Sequence, residues 1–325
     1  LLEKVFIAGG AGFIGSHFVE RLLSEQNVKQ VTVFDNFSSG QSWHLEKFSD
    51  KRLTTVQGEI KNQDQLEEAM AGHDTVIHLA SNPDIARAAR EPMIDFDAGT
   101  LLTQTIIEAM RRTATQQILY ASGSGIYGDT GLTEVSESYG PLTPASTYGA
   151  SKLAGEAMIS AYSHMFGLKG IAFRFGNVVG PRQTHGVGYD FIQKLKADPT
   201  SLEILGDGSQ SKSYVHISDV IEAVLLAASK VKEPFDAFNV ATGDYITVKE
   251  IAQIVIDKVV GKSAAVKLIF SGGDRGWKGD VPIVRLNTDK IKALGWRCRH
   301  TCRQSIERSI DEMLGENKLF AKPNL

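Results

Sequence analysis

Cysteine is nearly absent: Cys298 and Cys302 are the only two in 325 residues. So small a number excludes a disulfide-stapled scaffold and fits a reducing compartment, and the cytoplasm is the expected location. An excess of charge of one sign is also missing. The chain carries 35 basic and 38 acidic residues, a formal net charge of −3, which gives no reason to expect nucleic acid or an anionic membrane as partner. No apolar run approaches the roughly 18 residues that cross a bilayer, and no basic-then-apolar leader is evident. Low-complexity tracts and internal repeats are lacking as well. Cys298-Arg-His300-Thr-Cys302 has no second ligand cluster beside it, its two thiols fit an i,i+4 pair, and no metal is expected. What remains, with 42% hydrophobic and 22% charged residues, is an ordinary globular chain, long enough for one large domain or two lobes.

Lys4-Val-Phe-Ile-Ala-Gly9 is an apolar, β-branched run that stops at glycine, as a buried parallel strand does. Gly9-x-x-Gly12-x-x-Gly15 follows and opens a stretch with helical apolar spacing. Gly9 permits a tight turn, Gly12 lets the backbone approach a pyrophosphate, and Gly15 lets helix pack on strand. A second strand, Val31-Thr-Val-Phe-Asp35, ends in an acid about 20 residues on, placed to accept hydrogen bonds from a ribose diol. No Arg lies close after Asp35, so NAD is favoured over NADP. A capping Asp in a turn is the plainer alternative for Asp35.

Strand candidates recur at 4–9, 30–35, 53–57, 74–79, 116–121 and 170–175, with helices expected over 12–26, 62–71, 93–112 and 147–166. The alternation predicts an α/β fold: a Rossmann-type, doubly wound parallel sheet. Beyond Phe175 the rhythm breaks at Gly180-Pro-Arg, Ala197-Asp-Pro, Gly206-Asp-Gly and Gly272-Gly-Asp, with helices near 218–230 and 247–260. Residues 1–176 therefore read as an NAD-binding domain, to which segments around 214–245 return. Residues 177–325 read mostly as a smaller α/β substrate lobe.

Tyr148-Gly-Ala-Ser-Lys152 places a phenol and an ammonium four residues apart, on one face of a helix. A tyrosine near pKa 10 is a poor base at neutral pH, and a neighbouring ammonium together with a cationic nicotinamide would favour its phenolate. An exposed pair at a common spacing would look the same in isolation; the glycine loop upstream is what gives the pair meaning.

Gly9-Gly-Ala-Gly-Phe-Ile-Gly-Ser-His17, Asp35-Asn-Phe-Ser-Ser-Gly40, His78-Leu-Ala80, Ile126-Tyr-Gly128, Tyr148-Gly-Ala-Ser-Lys152, Arg174-Phe-Gly-Asn177, Gly180-Pro-Arg182, Gly206 through Tyr214 and Asp274 through Asp280 together carry a resemblance. The chain resembles the extended short-chain dehydrogenase/reductases of the nucleotide-sugar epimerase/dehydratase family, nearly end to end, and among them the UDP-galactose (UDP-glucose) 4-epimerases. That resemblance implies NAD held by Gly9, Gly12, Phe13, Ile14, Gly15, Asp35, Asn36, Ser38 and Gly40. It implies Glu59 and Ile60 beside the adenine, and Leu79, Ala80 and Ser81 bordering the pyrophosphate and ribose. Tyr148 and Lys152 would be catalytic and would also reach the cofactor. Asn177, Lys212 and Arg275 would hold the substrate diphosphate, Lys212 standing where relatives usually carry an Arg and so lacking its bidentate fork. A homodimer through helices near 93–112 and 147–166 is also implied.

Two positions depart from the family pattern. Relatives place a Ser or Thr three residues before the Val/Ile-Tyr-Gly segment, and here that position is Gly123; a further departure lies at Gly99, where relatives usually show Asn. Ser124 or Ser122 could supply the missing hydroxyl, or a water or substrate hydroxyl could fill the gap, or the protein could be weakly active on standard sugars. The 4,6-dehydratases carry Thr-Asp-Glu where this chain reads Gly123-Ser-Gly125, so the extra acid and base of an elimination are absent. The expectation is an NAD-dependent nucleotide-sugar 4-epimerase, UDP-glucose/UDP-galactose being the default pair, acting by transient oxidation at C4 and return of the hydride. The alternatives are an oxidoreductase with net NAD(H) turnover on a nucleotide sugar or keto-sugar, and a weakly active regulator that binds NAD or a nucleotide sugar.

Overall fold

The computed structural model describes residues 2–320. Seven parallel strands make the central sheet: β1 (Lys4–Ala8), β2 (Gln30–Asp35), β3 (Leu53–Gln57), β4 (Thr75–His78), β5 (Gln117–Gly123), β6 (Lys169–Phe175) and, after shorter strands, β11 (Phe235–Val240). Their order is β11-β6-β5-β4-β1-β2-β3. The chain runs outward from β1 to β3, then crosses back to β4 on the other side of β1. The β1/β4 boundary is therefore the switch point, and the crevice beyond the carboxyl ends of these two strands is where such a sheet offers a ligand site. The central strand β1 is apolar on both faces, as a sheet covered by helices requires: all of Val5, Phe6, Ile7 and Ala8 are fully buried.

Helices α1 (Phe13–Leu23), α2 (Gln63–Met70), α3 (Leu101–Thr113) and α4 (Thr147–Phe166) follow β1, β3, β4 and β5. Phe18, Leu22, Val220, Val224 and Ala227 join one core, and Leu66, Met70, Ile106, Met110 and Ile159 join the other, one on each face of the sheet. The third cluster gathers Val179, Phe191, Ile192, Leu202, Ile204, Ile251, Val255, Ile306 and Ile310. Its elements are β7 (Asn177–Val179), α5 (Val187–Ala197), β8 (Ser201–Ile204), α7 (Val248–Val259), β13 (Lys267–Phe270) and α9 (Cys302–Phe320). Short strands tie the rest together: β9 (Ser211–Lys212) pairs with β12 (Ile246–Thr247), and β10 (Tyr214–His216) pairs with β7. Between β10 and β11, α6 (Ile217–Lys230) packs on α1. The short α8 (Asp289–Ala293) packs on β11.

Two differences from the sequence expectation matter for the site. β5 extends to Gly123, whose backbone is paired with Phe175, so the glycine departure lies inside the strand end rather than after it. The stretch expected as one helix over 93–112 is a π turn at Phe96–Thr100 leading into α3. Cys298 lies in the loop ahead of α9 and Cys302 is that helix's first residue. The buried Cys302 thiol contacts the Tyr214 amide and the Thr242 hydroxyl, and burial holds both thiols protonated, Cys298 pushed up to about 12 and Cys302 to about 11.

Candidate active site

The glycine loop is set by backbone demands. Gly9 has φ +82°, and a Cβ there would stand 2.7 Å from the Ala80 amide nitrogen. A Cβ on Gly15 would stand 2.5 Å from the Gly9 carbonyl oxygen. Both positions thus press helix α1 and the 79–81 loop against the end of β1. The first α1 hydrogen bond runs from Ser16 N to Gly12 O at 3.0 Å. By helix geometry the amides of Phe13, Ile14 and Gly15 precede it, at a terminus that suits a phosphate. Asp35 is buried at the end of β2. One of its oxygens accepts from Ala11 N and the other from Phe37 N, each at 2.9 Å, and these bonds oppose the upward push of burial on its carboxyl. A Cβ on Gly40 would come within 2.8 Å of the Asp35 carboxylate, so that glycine closes over the acid.

The residues expected beside the adenine lie further along. Asn36 donates to Glu59 at 3.1 Å, while Ser38 is exposed and its amide bonds Asn36. Asn36 and Glu59, with Pro92, Met93, Ile94 and Leu102, line a cleft of about 490 Å³. Ile60 turns inward to the core instead. Leu79 and Ala80 are fixed by their amides, both of which bond the Ala8 carbonyl. A partly exposed helix terminus, a buried acid beside it and a cleft beyond it fit the phosphates, ribose and base of a dinucleotide.

Tyr148 and Lys152 sit on the first turns of α4, beside the end of β5. Ser146 caps the helix by accepting from Gly149 N at 3.1 Å. The Lys152 side chain is buried, its Nζ donating to the Ala121 carbonyl at 2.8 Å and lying 5.5 Å from the centre of the Tyr148 ring. Burial brings the ammonium down to about 8, the Asp95 carboxylate working against that shift. Burial also raises the Tyr148 phenol, opposed by the nearby Ser81 hydroxyl and reinforced by Asp95. Burial therefore leaves the phenol above its ordinary value, and not lowered as the Tyr/Lys spacing suggested.

Gly123 is extended, with φ −160° and ψ 164°, and a Cβ there would meet nothing within 4 Å. Its two neighbours part company. Ser122 is buried and donates to Glu156, which is doubly bonded by Arg174, so its hydroxyl belongs to the sheet–helix interface rather than to the open side. Ser124 begins a partly exposed 3-10 turn. At Gly99 the departure has a packing cause: a Cβ would lie 2.7 Å from the Ser151 hydroxyl oxygen, one residue from Lys152.

The three expected phosphate groups are brought to the same side of the molecule by short strands and one loop. Asn177 heads β7 and its amide bonds the Ser213 carbonyl. Lys212 donates to Asp280 at 2.7 Å and lies over the Trp277 ring. Arg275 bonds the Asp280 carbonyl and the Asp129 carboxylate. Both cations are thus engaged with carboxylates or carbonyls of the 274–280 loop, and Gly279 of that loop packs against Ser146, two residues from Tyr148.

Sequence reasoning did not single out Asp95, Asp280 or Glu156. Asp280 falls within a motif that the resemblance used, but Asp95 gave no signal: on a helix begun at 93 it reads as an ordinary first-turn acid.

The comparisons agree with this geometry. Residues 5–241 match the model of the NAD dependent epimerase/dehydratase family. A UDP-glucose 4-epimerase of Mycolicibacterium smegmatis is 30% identical over 318 residues, covering 95% of this chain and 97% of that one. The structure of the Thermus thermophilus UDP-glucose 4-epimerase in complex with NAD aligns with TM-score 0.84 at 31% identity, over 96% and 99% of the two chains. A double mutant of the Streptomyces venezuelae dTDP-glucose 4,6-dehydratase, with NAD bound, aligns with TM-score 0.88 at 26% identity, over 98% of each. With its glycine loop, its buried Asp35 and its Tyr148/Lys152 pair at the switch point of the sheet, the chain belongs to the NAD dependent epimerase/dehydratase family and uses NAD.

Proposed function

We propose that the protein is a nucleotide-sugar 4-epimerase, with UDP-glucose and UDP-galactose as its substrate pair. The observation that carries this reading is the makeup of the reacting end. Tyr148 and Lys152 stand together beside Gly123-Ser124-Gly125, a segment without a carboxylate. Elimination of water needs a further acid and base, whereas inversion of one carbinol centre needs one group that can take and return a proton. Both the 4-epimerase and the 4,6-dehydratase relatives share the fold, so the choice rests on the site.

Bound NAD supplies a reversible acceptor for the hydrogen on the sugar carbon. Tyr148 takes the proton of the sugar hydroxyl and gives it back. Lys152, fixed by the Ala121 carbonyl, keeps positive charge beside the phenol and favours its ionised form. Asn177, Lys212 and Arg275 hold the diphosphate, so the sugar can present either face while its nucleotide stays anchored. Because Lys212 and Arg275 now pair with Asp280 and Asp129, the diphosphate competes with those carboxylates for them.

Replacing Tyr148 by Phe removes the proton carrier and little else. The expected outcome is loss of epimerase turnover by about 10²–10⁴-fold with NAD still bound, the range general acid–base groups contribute. Turnover at the wild-type rate in that variant refutes the mechanism.

A further inference from the structure

We propose that Ser81 supplies the second hydroxyl of the reacting site in place of residue 123, and that Asp95 positions it against Tyr148. This rests on the epimerase reading above. Ser81 follows β4, not β5, in a loop whose Leu79 and Ala80 amides are both tied to the Ala8 carbonyl. It lies between the glycine loop and α4, and its hydroxyl is close enough to the Tyr148 phenol to oppose the upward push of burial on it.

Asp95 makes that placement a built feature. The carboxylate is 1% exposed. One of its oxygens accepts from Asn82 Nδ2 at 2.8 Å and the other from Thr147 Oγ1 at 2.6 Å. Asn82 is the residue after Ser81, and Thr147 is the residue before Tyr148. One buried acid therefore clasps the Ser81 loop to the start of the Tyr148 helix. Asn82 also bonds the Asp84 carbonyl and amide, which folds the loop back on itself.

The alternatives on β5 are weaker. Ser122 is committed to Glu156, and at Gly123 there is only open space. The proton balance is unchanged by the substitution of one hydroxyl for another. The sugar oxygen gives its proton to Tyr148 and later recovers it, while Ser81 donates a hydrogen bond to that oxygen and keeps its own proton. Asp95 acts through its two neighbours and is a positioning residue. The charged and titratable groups around the phenol are Lys152 and Asp95, with Tyr120 behind the pair.

The test uses the NAD-loaded enzyme and four variants: Ser81→Ala, Ser81→Thr, Gly123→Ser, and Ser81→Ala combined with Gly123→Ser. Ser81→Ala is expected to lower kcat by about 10²–10³-fold, the loss seen when one donor to a transition-state oxygen is removed, with KM within about threefold. Ser81→Thr, which keeps a hydroxyl, retains most of the activity. Gly123→Ser alone changes little, but in the Ser81→Ala background it recovers about tenfold or more of the loss, since a hydroxyl returns to the reacting oxygen from the other strand. The second readout is the ultraviolet titration of Tyr148, isolated by subtracting the Tyr148→Phe curve. Its midpoint rises in Ser81→Ala. A kcat unchanged in Ser81→Ala, or an unmoved phenol midpoint, overturns the proposal. If instead the wild-type enzyme converts no nucleotide sugar, the epimerase reading fails, and the phenol midpoint still decides whether Ser81 is the partner of Tyr148.

Discussion

Lys152 holds the residue-scale argument together because its charge is both useful and costly. Its Nζ is out of water and has a carbonyl as acceptor, so its proton leaves at about pH 8 rather than at the 10.5 of a solvated lysine. The proposed mechanism needs the ammonium, so kcat is expected to fall as pH rises through about 8. Stability moves the other way. Between about 8 and 10.5 the unfolded chain binds a proton that the folded chain does not, so folding gains over that window and loses the gain as pH falls through the folded value. A pH–kcat profile and urea melts across the same range check both signs. A Lys152→Met variant is expected to remove both dependences, and a wild-type kcat level across pH 8 contradicts the assignment.

At the scale of elements, α4 joins the chemistry to the sheet. Tyr148 and Lys152 face the site from its first turns, and Glu156, one turn on, faces β5 and β6. There it is bonded by Arg174 and Ser122, and Arg174 also donates to the Tyr127 hydroxyl at 2.8 Å. Glu156→Ala leaves the Arg174 charge buried without its partner, which typically costs about 3–5 kcal/mol. A matching drop in the urea midpoint is expected; a variant as stable as wild type would mean that water replaces the carboxylate. Helix α4 was legible in the sequence to the residue, because Ser146 is a good cap and Gly167 a good stop. The end of β5 was not, since Ser122-Gly123-Ser124 is turn chemistry by composition; Ser122 and Gly123 become strand only through pairing with β6, and Ser124 opens the following turn. The π turn at Phe96–Thr100 was equally hidden. It answers to the close approach of Gly99 to Ser151, a contact between elements some 50 residues apart. For the same reason Asp95 carried no signal in the sequence, and Ser81 read only as a residue bordering the cofactor. Their roles depend on what stands opposite them.

The whole molecule places its functional groups by topology. Gly9, Asp35, Ser81 and Gly123 come from the ends or following loops of β1, β2, β4 and β5, and a parallel sheet sends all of those ends to one edge. The alternation of strands and helices made this much readable from the sequence. The lobe of α5, α7 and α9 was less so, being made of short strands and of helices separated by glycine-rich loops. Its α9 nonetheless shows Cys302, Ile306, Ile310 and Met313 at helical spacing, all buried.

Acid stability is a property of this whole assembly. His17, between α1 and the Pro181 carbonyl with Arg182 beside it, and His78, at the end of β4, are each buried and titrate at about 3 instead of 6.5. The unfolded chain takes up both protons first, so the stability they contribute is full above 6.5 and is lost as pH falls toward 3. Urea midpoints are expected to decline steadily over that interval; a midpoint independent of pH there would contradict the buried, neutral state of both rings.

The central claim is that one carbinol centre is oxidised and restored within a single bound complex. It is tested most directly by incubating the enzyme with UDP-galactose carrying deuterium at C4, without added reductant, and following the sugar by proton NMR. The account predicts UDP-glucose with the deuterium kept at C4 and no accumulation of free NADH. Epimer that has lost its deuterium to solvent, or NADH released in step with substrate consumed, would contradict it.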